Sequence, residues 1–486
     1  MSLQSLRHHA VLGPTVAIPL HLLEDGWDSS AWYSATVVTP TQNSVVSVAP
    51  RPMCTTYSRA GWLHIPRFLG MRLIGGVPPD DRRVLGEPMG DCVKFNGSLR
   101  TSPPQVDATA RVMERLHDRG GAMLVLPCGF GKTVCAIWTM TRLRRRTLVL
   151  VHTSVLASQW VDRLSGFCSG LRVGRLQQDT VEIDGYDVVV GMLQSVHARK
   201  YDRALMSTFG TVVVDEAHHV AAPMFASALQ QLRARYILGL TATPDRKDGL
   251  GCILPWYLGD VAFRAERETE DVEIRMMEHH GTQVELVDRR GKLRYAEMLT
   301  RMALDGTRND EILEEIVALA SEGRAVLVLS ERRTQLEMLE RAMLDMDGAV
   351  SCTTPPPRTS KRKRGQDAAP QPPPPLDAHL VVGRVMGGTS AAMRDRGIEF
   401  ANVILSTYMY ASEGLDIPRL DTLVMASPGV NIEQTLGRIL RRHPNKKKPM
   451  VLDVHDSFSL FIAMRRKRER YYESQGYVID HHTGRA

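Results

Sequence analysis

Short apolar runs recur through the middle of the chain, at residues 123–126, 147–151, 187–191, 211–214 and 236–241, and stretches with apolar residues at three- and four-residue spacing separate them. Runs this short and continuous predict strands buried on both faces, and their alternation with helix-like segments predicts a parallel sheet covered by helices. A second set, at 325–329, 402–406, 422–426 and 449–453, repeats the pattern. The expected fold class is therefore α/β, with one such domain over residues 99–262 and another over 263–475. Residues 1–98 carry scattered β-type runs, at 35–38 and 44–48 for example, among many turn formers, and are expected as a separate amino-terminal accessory domain. Nucleic-acid binding is one candidate role for it. Within the second domain, Pro355 to Pro357 and Pro372 to Pro375 flank Lys361-Arg362-Lys363-Arg364. That composition cannot bury a core, so 353–375 is expected as a disordered surface insertion, its basic cluster either a nuclear import signal, a nucleic-acid tether or a solubilising loop tip.

Two predicted strand ends carry most of the chemistry. After 123–126 comes Gly129-Phe130-Gly131-Lys132-Thr133, and Val134, Ile137, Trp138 and Thr141 continue at helical spacing. Glycines there let backbone N–H groups close around phosphate oxygens, and the helix adds its positive dipole end. Lys132 can reach the β- and γ-phosphates and the Thr133 hydroxyl can ligate Mg²⁺. The strict phosphate-loop pattern begins with Gly, where this chain has Leu126. Asp215-Glu216-Ala217-His218 follows the run at 212–214. Asp215 suits the same Mg²⁺, Glu216 is placed to orient or deprotonate a water, and His218 is suited to sensing the phosphate end.

In the second domain Gln434, Arg438 and Arg441 stand at spacings of four and three, predicting one helix face from which two guanidinium groups can clamp phosphate oxygens. Glu413-Gly414-Leu415-Asp416 is expected on a loop after the strand ending at Ser406. Taken singly, the arginines read equally as a salt-bridged surface helix and the two acids as helix caps.

Composition narrows the rest. The chain has 486 residues, 43% hydrophobic and 24% charged, within the range of soluble globular proteins. Its seven cysteines include no C-x-x-C pair, which argues against a disulfide framework or zinc ribbon and for a reducing compartment. Pro14, Pro19 and His21 interrupt the apolar stretch 10–23, against a signal peptide, and no run approaches the ~18 residues of a membrane span. His218-His219 and His279-His280 lack the spacing of a zinc hydrolase. The formal net charge is +7, and the stretch 441–470 alone holds ten basic side chains to three acidic ones, either a phosphate-backbone surface or a solvated helix face.

Together the motifs resemble those of the superfamily 2 helicases, in order, over residues 99–455. Val151-His152-Thr153 through Gln159-Trp160 looks like motif Ia, Gly191 to Ser195 like the next nucleic-acid contact, Asp215 to His218 like motif II and Thr241-Ala242-Thr243 like motif III. Glu413 to Asp416 falls in motif V and Gln434 to Arg441 in motif VI. The resemblance is nearest to helicases of large DNA viruses, such as the poxvirus late-transcription type, which share a counterpart of Leu63-His64-Ile65-Pro66-Arg67, and to the transcription and repair translocase branch. That branch has an Arg-Glu-Asp element where this chain has Arg246-Lys247-Asp248.

The resemblance implies two tandem RecA-like domains using ATP and Mg²⁺. It implies Gln105 as the residue that recognises adenine, and Gly414 and Asp416 beside the nucleotide. It further implies movement on nucleic acid, with DNA favoured because position 440 is Leu where RNA remodellers often carry Gly; an RNA remodeller and a non-hydrolysing scaffold are the alternatives. A monomer, with transcription or repair factors as partners and no membrane, is expected at the nucleus or a viral replication site, otherwise in the cytoplasm.

Overall fold

A computed structural model describes residues 5–23, 36–39, 53–102, 104–127, 129–199, 201–219, 222–242, 250–266, 271–281, 285–289, 291, 293–353, 379–415, 417–429, 432–441, 443–444 and 446–482. Nearly all of the expected insertion at 353–375, together with Asp416, Thr243 and Arg246 to Asp248, lies outside the described residues. The chain forms two compact units, Met1–Glu266 and Arg267–Ala486.

The first unit is built on an eight-stranded sheet: β1 (Gly121–Val125), β2 (Thr147–Val151), β3 (Val173–Gln177), β4 (Thr180–Val181), β5 (Val188–Met192), β6 (Thr211–Val214), β7 (Tyr236–Thr241) and β8 (Val261–Arg264). Its spatial order is β4-β3-β5-β2-β6-β7-β1-β8, parallel except for the short β4. Every residue of β1, β2 and β6 is buried, because helices cover both faces. The strand alternation divides the core: Met123, Leu148, Leu150, Val212 and Val214 join one hydrophobic cluster, while Leu124, Val149, Val151 and Val213 join the other.

The amino-terminal segment, expected as a domain over 1–98, lies inside this first unit. Its five-stranded sheet, ordered Tyr57–Arg59, Trp62–Pro66, Thr15–Pro19, Val11–Leu12 and Asp80–Asp81, contributes Leu12, Val16, Ile18, Leu63 and Ile65 to the first cluster. The fully buried Arg67 guanidinium donates to the carbonyls of Gly13 (2.8 Å), Ala234 (2.9 Å) and Leu232 (3.0 Å), joining the two sheets. Beyond it, the chain crosses the amino-terminal edge of the large sheet. There Val84 accepts from Arg235 N, Glu87 N donates to Thr208 O and Met89 N to Arg144 O. At the crossing a Cβ on Gly86 would lie 2.2 Å from Gly210 N, so the backbones meet where no side chain fits.

The second unit repeats the architecture with β9 (Glu273–His279), β10 (Val326–Ser330), β11 (Ala349–Ser351), β12 (Leu380–Arg384), β13 (Val403–Thr407), β14 (Thr422–Met425), β15 (Met450–Asp456) and β16 (Val478–His482). The order is β11-β12-β13-β10-β14-β15-β9-β16, parallel throughout. Because β16 pairs with β9, the unit continues past the boundary expected at 475. Each unit has the RecA-like arrangement, a parallel sheet with helices on both faces.

Candidate nucleotide-binding site

β1 ends at Val125, and the phosphate-loop segment leads into the helix Lys132–Leu143. Gly129 and Gly131 both have φ near +87°, the left-handed region that only glycine enters freely, and Gly131 is the residue before the first helical turn. Leu126, where the strict motif has Gly, is fully buried; its N–H donates to Thr241 O at 3.1 Å and its carbonyl accepts from Lys132 Nζ at 3.2 Å. The departure thus sits in the core. Thr133 lies half-buried in the first helical turn, and Cys128 is outside the described residues.

Gln105 starts the helix Gln105–Arg119 and is buried. Its Oε1 accepts from Arg100 N at 3.0 Å and its Nε2 donates to Phe130 O at 2.9 Å. A Cβ on Gly131 would come within 2.4 Å of that Nε2, so the amide packs directly on the loop. The observed contacts of Gln105 brace the phosphate loop.

The acidic motif leaves β6 at Val214 and turns at once, with Glu216 held at φ +45° and a single 3-10 turn over Ala217–His219. A left-handed non-glycine residue costs about 1 kcal/mol, here at a candidate catalytic position. Asp215 is buried; its Oδ1 accepts from Glu216 N at 2.9 Å and its Oδ2 from Trp160 Nε1 at 2.7 Å. Burial first, and then the Glu216 carboxylate, push the Asp215 carboxyl up to about 6, against the opposing pull of Trp160 and Lys132. Lys132 Nζ stands 3.6 Å from the Glu216 carboxylate, whose other oxygen is 3.4 Å from His218 Nδ1. That Nδ1 also meets Thr241 Oγ1 at 2.8 Å, tying the acidic motif to the end of β7. Lys132, far upstream in sequence, converges on one place with the neighbouring Asp215, Glu216 and His218. Trp160 joins them, although Leu156, Trp160 and Leu164 at four-residue spacing read simply as the buried face of the helix Ser154–Phe167.

In the second unit the helix of the arginine motif is shorter than expected. It spans Ile432–Leu436, after which Arg438 N and Ile439 N bond three residues back to Thr435 O and Leu436 O. Arg438 and Arg441 therefore lie beyond the helix, whose turns have tightened and no longer present a continuous face with Gln434. Arg438 is buried, and its Nη1 donates to Leu415 O at 3.0 Å, joining it to the Glu413-Gly414-Leu415 segment; Arg441 is half-buried. Glu413 and Gly414 close the helix Tyr408–Gly414 instead of occupying a loop, since Thr407 caps that helix by accepting from Tyr410 N. The side chains of Gln434 and Glu413 are outside the described residues.

Residues 98–246 match a family model described as type III restriction enzyme, res subunit. Over 429 residues the chain is 28% identical to "Putative ATP-dependent RNA helicase L396" of Acanthamoeba polyphaga mimivirus, covering 86% of this chain and 76% of that protein. It is 27% identical over 416 residues to "Putative ATP-dependent RNA helicase QP509L" of African swine fever virus, with 79% and 76% covered. "Putative helicase 161L" of Invertebrate iridescent virus 6 is 25% identical, with 79% and 83% covered. Over most of its length the chain is thus similar to helicases of large DNA viruses, and it carries the matched domain over residues 98–246.

The donor set of the first unit fits Mg²⁺. A threonine hydroxyl and a carboxylate are hard oxygen ligands of the kind this ion takes beside phosphates and water, and the buried charge of Asp215 lacks a full counter-ion. The basic stretch at 441–470 is less available than its composition suggests. Lys446 Nζ donates to Arg441 O at 2.7 Å, Lys447 donates to Glu322 O and Lys448 pairs with Asp271 at 2.7 Å. Arg468 is buried against Asp453 at 2.7 Å, and Arg465 pairs with Glu469 at 2.8 Å. On the helix Ser459–Ser474 this leaves Arg466, Lys467 and Arg470 exposed.

Proposed function

We propose that the protein is an ATP hydrolase that couples turnover to movement along nucleic acid, with DNA as the track. The convergence of Lys132, Asp215, Glu216 and His218 at the ends of β1, β6 and β7 carries this reading. Loop N–H groups and Lys132 take the phosphates, with Gln105 keeping the loop in shape. Bound Mg²⁺, held by Thr133 and Asp215, would neutralise phosphate charge. Glu216 accepts the proton of the attacking water, and Lys132 exchanges its contact with Glu216 for the phosphates, leaving that carboxylate free to act. His218, bonded to Thr241, relays the occupancy of the site to the end of β7. In the second unit Arg441 is assigned to developing phosphoryl charge and Gly414 and Asp416 to nucleotide, while Arg438 holds the Leu415 segment in place.

The names of the mimivirus and African swine fever virus relatives favour a second reading, an RNA helicase. Leu440 between the two arginines supports DNA. No helix among the described residues is long and apolar enough to cross a membrane. Viral transcription or repair, with factors of those processes as partners, is the role proposed, at the nucleus or a viral replication site. ATP hydrolysis measured with single-stranded DNA, duplex DNA and RNA tests the proposal. Stimulation by DNA supports it, stimulation by RNA alone transfers the motor to the second reading, and no stimulation by any of them overturns both.

A further inference from the structure

We propose that Trp160 is a positioning residue for the metal carboxylate, fixing Asp215 in the orientation that presents its remaining lone pairs to a divalent cation. This rests on the nucleotide-site reading above. The indole is 1% exposed and lies between Leu156 and Leu164 on the buried face of its helix. Packing there needs only apolar surface, and a phenyl ring would supply it. The indole adds one N–H donor, which meets Asp215 Oδ2 at 2.7 Å, short for an N–H···O bond and typical of a charge-assisted one. The other oxygen takes Glu216 N at 2.9 Å.

Two donors on two oxygens fix the plane of the carboxylate, and each oxygen keeps a lone pair. Both donors are neutral. An arginine or lysine in the place of Trp160 would orient the group equally well but would cancel the negative charge that a cation needs; an indole orients without neutralising. Because the ring is itself held by core packing, the orientation persists before any ligand arrives, which is how partners behind a metal ligand raise affinity.

The test uses the full chain with Mn²⁺ in place of Mg²⁺ and ADP as nucleotide. Mn²⁺ binding is read by electron paramagnetic resonance, ADP binding is measured separately in chelator, and folding is followed by thermal melting. Trp160→Phe removes the donor and keeps a ring; a benzothienylalanine at 160, in which sulfur replaces the N–H, keeps the whole shape and decides the matter if the phenylalanine variant folds poorly. The expected result is Mn²⁺ affinity lowered about tenfold, the scale typical of losing a partner behind a metal ligand, with metal-free ADP affinity unchanged and melting lowered only modestly, as for any buried acceptor that loses one donor. Unchanged Mn²⁺ affinity in the isosteric variant overturns the proposal, as does a parallel loss of metal-free ADP binding and stability, which would make Trp160 a packing residue only. Asp215→Asn is run alongside: if it too leaves Mn²⁺ binding intact, the assignment of Asp215 to the metal has failed, a result distinct from failure at Trp160.

Discussion

Gln105 Nε2 donates to the carbonyl of Phe130 at 2.9 Å, so a helix start 25 residues upstream holds the crest of the phosphate loop. Gln105→Ala removes that brace. Affinity should fall both for ATP and for inorganic triphosphate, which has no base to recognise; a loss confined to ATP, with triphosphate binding intact, would instead assign Gln105 to adenine alone. Gly131→Ala should be worse than Gln105→Ala, because it forces a Cβ against the same amide at φ +87°.

The raised carboxyl of Asp215 makes the stability of the protein sensitive to pH. Between the ordinary aspartate value of 3.8 and about 6 the folded protein holds a proton that the unfolded chain has released, so stability falls as pH rises through that window. Asp215→Asn abolishes this dependence. In chelator, the unfolding free energy of the variant should gain on wild type from pH 4 to pH 7. The gain approaches roughly 3 kcal/mol, since each tenfold change in proton affinity is worth about 1.4 kcal/mol, while ATP turnover is lost. A constant gap across that range counts against the raised carboxyl.

Arg438 and Arg441 should separate experimentally. Arg441→Ala should reduce kcat by about 10³-fold or more with ATP affinity retained, as expected for a group that acts on developing charge. Arg438→Ala should also lower the melting temperature, because Leu415 O loses its buried donor, at a cost of about 1–3 kcal/mol. Equal melting temperatures for the two variants would refute this division of roles.

Removal of residues 1–98 should leave insoluble protein and not a free-standing motor domain, since Leu12, Val16, Leu63 and Ile65 share a core with β1, β2 and β6. The single change Arg67→Met tests the same joint more gently. It strips donors from three buried carbonyls and should cost roughly 3 kcal/mol or more in denaturant unfolding. A well-folded, soluble 99–486 fragment would contradict the shared core.

If the exposed cations of the last long helix touch a phosphate backbone, replacing Arg466, Lys467 and Arg470 with Gln should weaken binding and flatten its salt dependence by up to about 0.9 per lost contact in the log–log slope. An unchanged slope would place the nucleic acid elsewhere.

The sequence by itself determined the two parallel sheets, because strands buried on both faces must be written as unbroken apolar runs such as 147–151 and 211–214, which need no long-range information to recognise. It determined the phosphate-loop and acidic motifs for a related reason: Gly131 and Lys132, or Asp215 and Glu216, act as neighbours in the chain. Strands β3, β9 and β16 were not legible, being mixed in polarity at or toward the sheet edges. Only tertiary structure decided that Gln105 leans on Phe130, that Trp160 spends its donor on Asp215 and that the amino-terminal residues complete the core of the first sheet. Each of these depends on which buried surfaces meet, and burial rewards apolar area without recording in local sequence where its partner lies.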